Sequence, residues 1–159
     1  IGQSMPNVQF ILVMPTFIQK YYAKIKISDN IHIFGNVSLV EFNKLLQESS
    51  IVMLPLNTDA PAGLIVIFQA ASQQKTVITT STPVTKEYID NETGVLCENN
   101  IDQFRKEIEY HLQHPDIARA KGKALYNKLR SECSKELYTS KLYNILLHNE
   151  NRISHTCIL

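Results

Sequence analysis

The 159-residue chain has no tryptophan, only five glycines and three cysteines, and almost no net charge, +1 from 16 basic and 15 acidic residues. The near-neutral balance excludes a dedicated nucleic-acid binder, which carries a basic surplus on one face. Cys97, Cys133 and Cys157 are few, odd in number and far apart. That predicts reduced thiols in a cytoplasmic protein, peripheral at the inner membrane face at most, instead of a disulfide frame. No pair of them has the spacing of metal ligands. No apolar run approaches the roughly 20 residues that cross a bilayer, and no signal-peptide pattern opens the chain. Cys157 is third from the end, whereas prenylation requires the fourth. The first residue is Ile1, which predicts a fragment or a processed product.

Several motifs are missing too. There is no Gly-x-Gly-x-x-Gly, no Walker glycine-lysine loop and no Gly-x-Ser-x-Gly elbow. The simplest dinucleotide, ATP and serine-hydrolase signatures are thereby excluded. Of the five histidines, His111 and His114 sit three apart beside Pro115. Without a Cys or carboxylate set around them they read as a solvated helix end, and no metal site is expected. Lys20, Lys24 and Lys26 read as one exposed helix face.

What the chain does contain is a repeating alternation. Hydrophobic residues make up 44%, enough for one domain with a sizeable core. Five short Val- and Ile-rich runs, residues 8–14, 31–34, 51–56, 76–79 and 94–97, lack polar alternation and predict strands covered on both faces, as in parallel sheets. Helical patterns separate them at 16–27, 39–48, 64–73 and 82–89. Ser38 with Glu41 predicts a capping box, and Thr82-Pro83 predicts an N-cap followed by proline at the first helical position. Beyond Glu98 only helices follow, at 101–114, 116–133 and 134–148, with Ser134 as an N-cap and a poorly ordered tail at 149–159. The expected fold is α/β, a doubly wound Rossmann-like parallel sheet with a helical C-terminal cap, as a single domain over residues 1–148.

The densest information lies in residues 49–83. There a strand leads into a polar loop, Pro61-Ala62-Gly63 closes the loop, and a helix begins at Leu64. A helix N-terminus has unpaired N–H groups and partial positive charge, which suits a phosphate. Gly63 either lets a ligand approach the backbone or only eases a tight turn. Gly35-Asn36-Val37 likewise follows the strand at 31–34. Ligands of doubly wound sheets bind beyond the carboxyl ends of strands, and two glycine-marked loops at such ends favour a ligand site there.

Four segments, MPNVQFILVMP, NIHIFGNVSLVEFNKLLQESSIVMLPL, PAGLIVIFQAASQQKTVITTSTP and EYIDNETGVLCENN, occur in an order that resembles the C-terminal half of GT-B glycosyltransferases of family four, the glycosyl transferases group 1. The resemblance implies a donor-binding half of a retaining, hexosyltransferase-type enzyme of polysaccharide biosynthesis. It implies a nucleoside-diphosphate sugar as donor, a saccharide or lipid-linked acceptor held by an N-terminal domain, and no metal or other cofactor. It places donor contacts at Gly35, Asn36, Val37, Ala62, Gly63, Leu64 and Gln69, and names no catalytic residue. Two glutamates that flank the glycine loop in that family fall on Ala60 and Gln69. Gln69 still donates to and accepts from ribose hydroxyls, whereas Ala60 offers no side-chain bond. A non-catalytic binding or interaction module with a degenerate site is the alternative, and a flavodoxin-like or receiver-like domain a further one. The family's strand order, 3-2-1-4-5-6, implies that a first strand belongs between residues 8–14 and 51–56. The two edges bordering that place predict self-association or a strand supplied by another polypeptide.

Overall fold

A computed structural model describes residues 1–22 and 27–153. After one 3-10 turn (Gly2–Ser4) the order is β1 (Phe10–Met14), α1 (Thr16–Tyr22), β2 (Ile31–Gly35), α2 (Leu39–Glu48), β3 (Ile51–Leu54), α3 (Leu64–Ser72), β4 (Thr76–Thr80), α4 (Pro83–Tyr88), β5 (Val95–Cys97), α5 (Ile101–Gln113), α6 (Pro115–Glu132) and α7 (Lys135–Ile153). All five expected strands are present, and they differ from expectation only at their ends. β1 starts at Phe10 because Val8 N–H turns back to the Met5 carbonyl. β3 stops at Leu54 because Pro55 has no N–H for a ladder. Lys24 and Lys26 of the expected basic face lie outside the described residues, as does Cys157. α7 runs past His148 to Ile153, and Ser134 Oγ accepts from Leu137 N–H at its start.

Every strand pair is parallel. β4 lies between β3 and β5, with Ile51 opposite Thr76 and Ile78 opposite Val95. All five β4 residues are buried. α2, α3 and α6 cover one face through Leu46, Val52, Ile67, Ala70, Val77, Leu125 and Leu129. α5 covers the other through Phe104 and Ile108, against Ile78 and Cys97. Burial and the neighbouring Glu107 and Glu98 push the Cys97 thiol up to about 11, which keeps it protonated and inert.

β1 and β2 form a second, two-stranded sheet, and β1 is not hydrogen-bonded to β3. The two sheets are nevertheless neighbours, because Val8 and Phe10 pack on the same cluster as Ile51 and Met53. The parallel pairing is thus interrupted between β1 and β3. Ile11, Val13 and Phe34 are exposed on one face of the β1–β2 sheet.

Two expectations follow. Strands flanking a one-strand gap stand about 9.6 Å apart, twice the ~4.8 Å spacing of neighbours, beyond the ~7 Å reach of a disulfide. Paired replacements Leu12→Cys and Met53→Cys should therefore stay reduced under mild oxidation, read by mass spectrometry; rapid cross-linking would show the strands close together. The second concerns Asp90, whose turn into β5 is tied to α6. The Lys128 ammonium, 2.7 Å away, holds its carboxyl down to about 2, helped by bonds from Thr93 and Glu92. A depressed carboxylate stabilises the fold above its unfolded value of ~3.9, and the gain fades as pH falls toward 2. Because Asp90 is half exposed, Lys128→Met should cost under about 1 kcal/mol at pH 7 and nothing below pH 2, measured as the difference in melting temperature. A difference that persists unchanged at pH 2 would assign the effect to packing instead.

Candidate functional site

Parallel strands joined by helices gather strand carboxyl ends and helix N-termini at one edge, and both glycine loops stand there. At β3, Pro55 ends the strand and residues 55–63 form a polar loop. The loop is fastened to β4: Leu56 N–H donates to Thr80 Oγ1 at 2.8 Å, and Thr79 Oγ1 donates to the Leu54 carbonyl at 2.8 Å. Asn57 is joined to Asn99, after β5, at 3.2 Å. Thr80 belongs to a run of four hydroxyl residues, Thr79 to Thr82, at the end of β4, which is the sequence signal for this tie; Asn57 and Asn99 carry no such signal.

Gly63 is the N-cap of α3 with φ 76°, in the left-handed region. A side chain there would also press on Leu54, with a Cβ 2.7 Å from its Cδ2. Glycine is thus demanded by backbone and packing both. The cap provides no side-chain acceptor. By contrast, α2 and α4 have full capping boxes at Ser38 and Thr82, and α5 is capped by Asn100. The first-turn N–H groups of α3 are therefore left open at the sheet's carboxyl edge, where an anion finds both donors and the helix's partial positive charge. Ala62, Gly63 and Leu64 are contiguous there and half-buried, and half-buried Gln69 follows on the same helix.

Gly35, Asn36 and Val37 stand at the same edge but on the other sheet. Gly35 ends β2 opposite Met14, and a Cβ on it would meet Gln19 and Thr16 of α1. Asn36 takes φ 48°, donates its N–H to the Met14 carbonyl, and accepts from Thr16 N–H through Oδ1 at 3.1 Å. Its side chain is a cap for α1. Among the described residues no hydrogen bond joins this loop to residues 62–69, so the edge brings both groups to one side without joining them. Two clefts, of about 540 and 600 Å³, include none of the seven expected residues in their walls.

The same edge carries exposed apolar side chains on the first turns of four helices: Phe17, Leu39, Val40, Ile65 and Ile101. Each is the first or second residue of its helix, a pattern visible in the sequence once helix starts are lined up. His111 departs from expectation. It is not solvated but 2% exposed, because it faces the packed side of α5; His114 does remain exposed. Among the described residues no group of three His, Cys, Asp or Glu is placed to hold a metal ion, and no helix is long and apolar enough to cross a membrane.

An α/β domain with parallel strands and glycine loops at its carboxyl edge is the class these features define. The sequence profile of the glycosyl transferases group 1 matches residues 13–128, and the chain belongs to that family. Its fold is that of GT-B glycosyltransferases. A crystal structure of TarM superposes with a TM-score of 0.71 at 19% identity, covering 90% of this chain and 29% of that one. A point mutant of S. aureus TarM, in complex with fondaparinux, alpha-GlcNAc-glycerol and UDP, gives 0.70 at 19% identity, covering 90% and 30%. A glycosyltransferase from Rickettsia africae ESF-5 gives 0.69 at 22% identity, covering 92% and 41%. The chain thus spans well under half the length of these solved structures. No curated protein sequence matches it.

Replacing Asn36 by Ala should destabilise the domain by about 1 kcal/mol, the typical cost of a lost N-cap, and the left-handed φ adds to that. Urea unfolding checks it; an unchanged midpoint would mean that Asn36 caps nothing in solution.

Proposed function

We propose that this domain is the donor-binding part of a retaining glycosyltransferase. It binds a nucleoside-diphosphate sugar, and the sugar passes to a saccharide or lipid-linked acceptor. The observation that carries this reading is the uncapped N-terminus of α3 behind a left-handed Gly63, in a chain of the glycosyl transferases group 1. UDP in the TarM complex supports the donor class. Transfer requires stabilisation of the departing diphosphate, and the open N–H groups of Leu64, Ile65 and Val66 are the donors offered for it. One donor well placed at a developing charge contributes roughly 3–4 kcal/mol.

Gln69 accepts from and donates to the ribose, and the loop at Gly35, Asn36 and Val37 meets the base. The apolar first turns, Phe17, Leu39, Val40, Ile65 and Ile101, give the acceptor-holding part of such an enzyme a surface to close upon. The second reading, a binding module that no longer turns over, is favoured by Ala60, which leaves the sugar without a carboxylate at that position.

Calorimetric titration with UDP and GDP tests the donor reading, followed by the same titration of Gln69→Ala. Lost hydrogen bonds to a neutral hydroxyl cost about 0.5–1.5 kcal/mol each, so the variant should bind about two- to tenfold more weakly while melting normally. Absence of nucleotide binding by the wild-type chain contradicts the reading. Equal affinity of the variant removes Gln69 from the site.

A further inference from the structure

On the opposite edge of the sheet, at the amino ends of β3 and β4, lies a polar cleft of about 600 Å³, within the ~300–1,000 Å³ range of small-molecule sites. Its walls are residues 47–50 between α2 and β3, the turn from α3 into β4, the end of α5 and the start of α6. The floor is fixed by close packing. A Cβ on Gly122 of α6 would stand 2.0 Å from the Gln74 carbonyl oxygen, so only glycine lets the helix rest on that turn. Lys75 Nζ donates to the carbonyls of Gln47 and Ser49 at 2.7 Å each and closes the end of α2.

The wall chemistry has two parts. Lys75, Arg119 and Lys123 face a single lining carboxylate, Glu48. Arg119 shares its charge with Asp116 at the surface, whereas Lys123 makes no ion pair among the described residues. The other part is His111, which belongs to the wall and is 2% exposed. Its Nδ1–H donates to the Glu107 carbonyl at 2.8 Å, so Nε2 of the neutral ring is an acceptor. Among the described residues Nε2 is the buried side-chain polar atom without a partner. Such an atom is rare in a folded protein and costs roughly as much as a lost hydrogen bond.

We propose that this cleft binds a small hydroxylated phosphate ester, of the sugar-phosphate class. Arg119 and Lys123 take the phosphate, as guanidinium and ammonium groups do. Gln47, Gln73 and the unpartnered Nε2 of His111 take hydroxyls. Neither a bare anion nor a neutral sugar satisfies both halves of the wall. The inference does not rest on the donor reading, because the glycine loops are at the other edge.

The test is amide and imidazole nitrogen NMR of the 159-residue chain titrated with glucose 6-phosphate, then with glucose and with inorganic phosphate separately, and with UDP. The expected result is saturable shifts at Ser49, Lys75 and Lys123 and a changed His111 Nε2 resonance with glucose 6-phosphate. Glucose or phosphate alone should bind at least tenfold more weakly. Arg119→Ala with Lys123→Ala, both at exposed positions, should weaken the sugar phosphate at least tenfold and leave UDP shifts unchanged. Absence of saturation overturns the proposal, as does equal binding of inorganic phosphate, an unmoved Nε2 signal, or a double variant that binds as well as the wild type.

Discussion

Parallel pairing of β3, β4 and β5 is the constraint on which the rest depends. Strands that all run one way require a helix between each pair, and those helices must start at the carboxyl edge and return along the faces. β4 sits in the middle and is buried throughout, so its threonines need partners. Thr79 and Thr80 find them on β3 and its loop, and Thr76 finds the Ala118 carbonyl of α6. The hydroxyls that make β4 tolerable in a core thus tie the site loop and α6 to the sheet. Ile67, Val77, Ile78 and Leu125 are wholly buried around it, and truncating a large residue of this kind costs about 2–5 kcal/mol.

Local signals made most of this fold legible. Short Val- and Ile-rich runs marked the strands because burial on both faces removes polar alternation. Ser38 with Glu41, and Thr82 with Pro83, marked helix starts because an N-cap has to supply an oxygen at a fixed offset. Gly63 was legible as a special position, and its left-handed φ and the crowding by Leu54 explain why. His111 stands seven residues after Phe104 and three after Ile108, so helical spacing already set it on the buried face, and it was Pro115 just beyond that made it look like a solvated helix end. What stayed hidden was long-range. The capping role of Asn36 stayed hidden because its partner, Thr16, is twenty positions away.

The candidate site shows the same division. Ala62, Gly63, Leu64 and Gln69 share one turn and one helix, so a contiguous motif could place them together. Gly35, Asn36 and Val37 stand on a different sheet, and only the common strand direction sets them at the same edge. The break between β1 and β3 separates the two groups. A site composed of both therefore depends on what holds the two sheets at a fixed distance, and the shared cluster of Phe10, Ile51 and Met53 does so. Meanwhile the other helices that start at the carboxyl edge are closed by side chains, α2, α4 and α5 by their own N-caps and α1 by Asn36, and α3 is left open. Side-chain caps cost a sequence only one residue, and their absence at the one helix that starts from the polar loop marks that N-terminus for an external acceptor.

That claim is tested most directly by mapping UDP onto the backbone amides of the chain. The account predicts that the largest shifts fall on Leu64, Ile65 and Val66, with smaller ones at Gly35 to Val37, and that the amides of α2 and α4, already capped, stay in place. Shifts centred on the amino edge, or spread evenly over all helix starts, would contradict it.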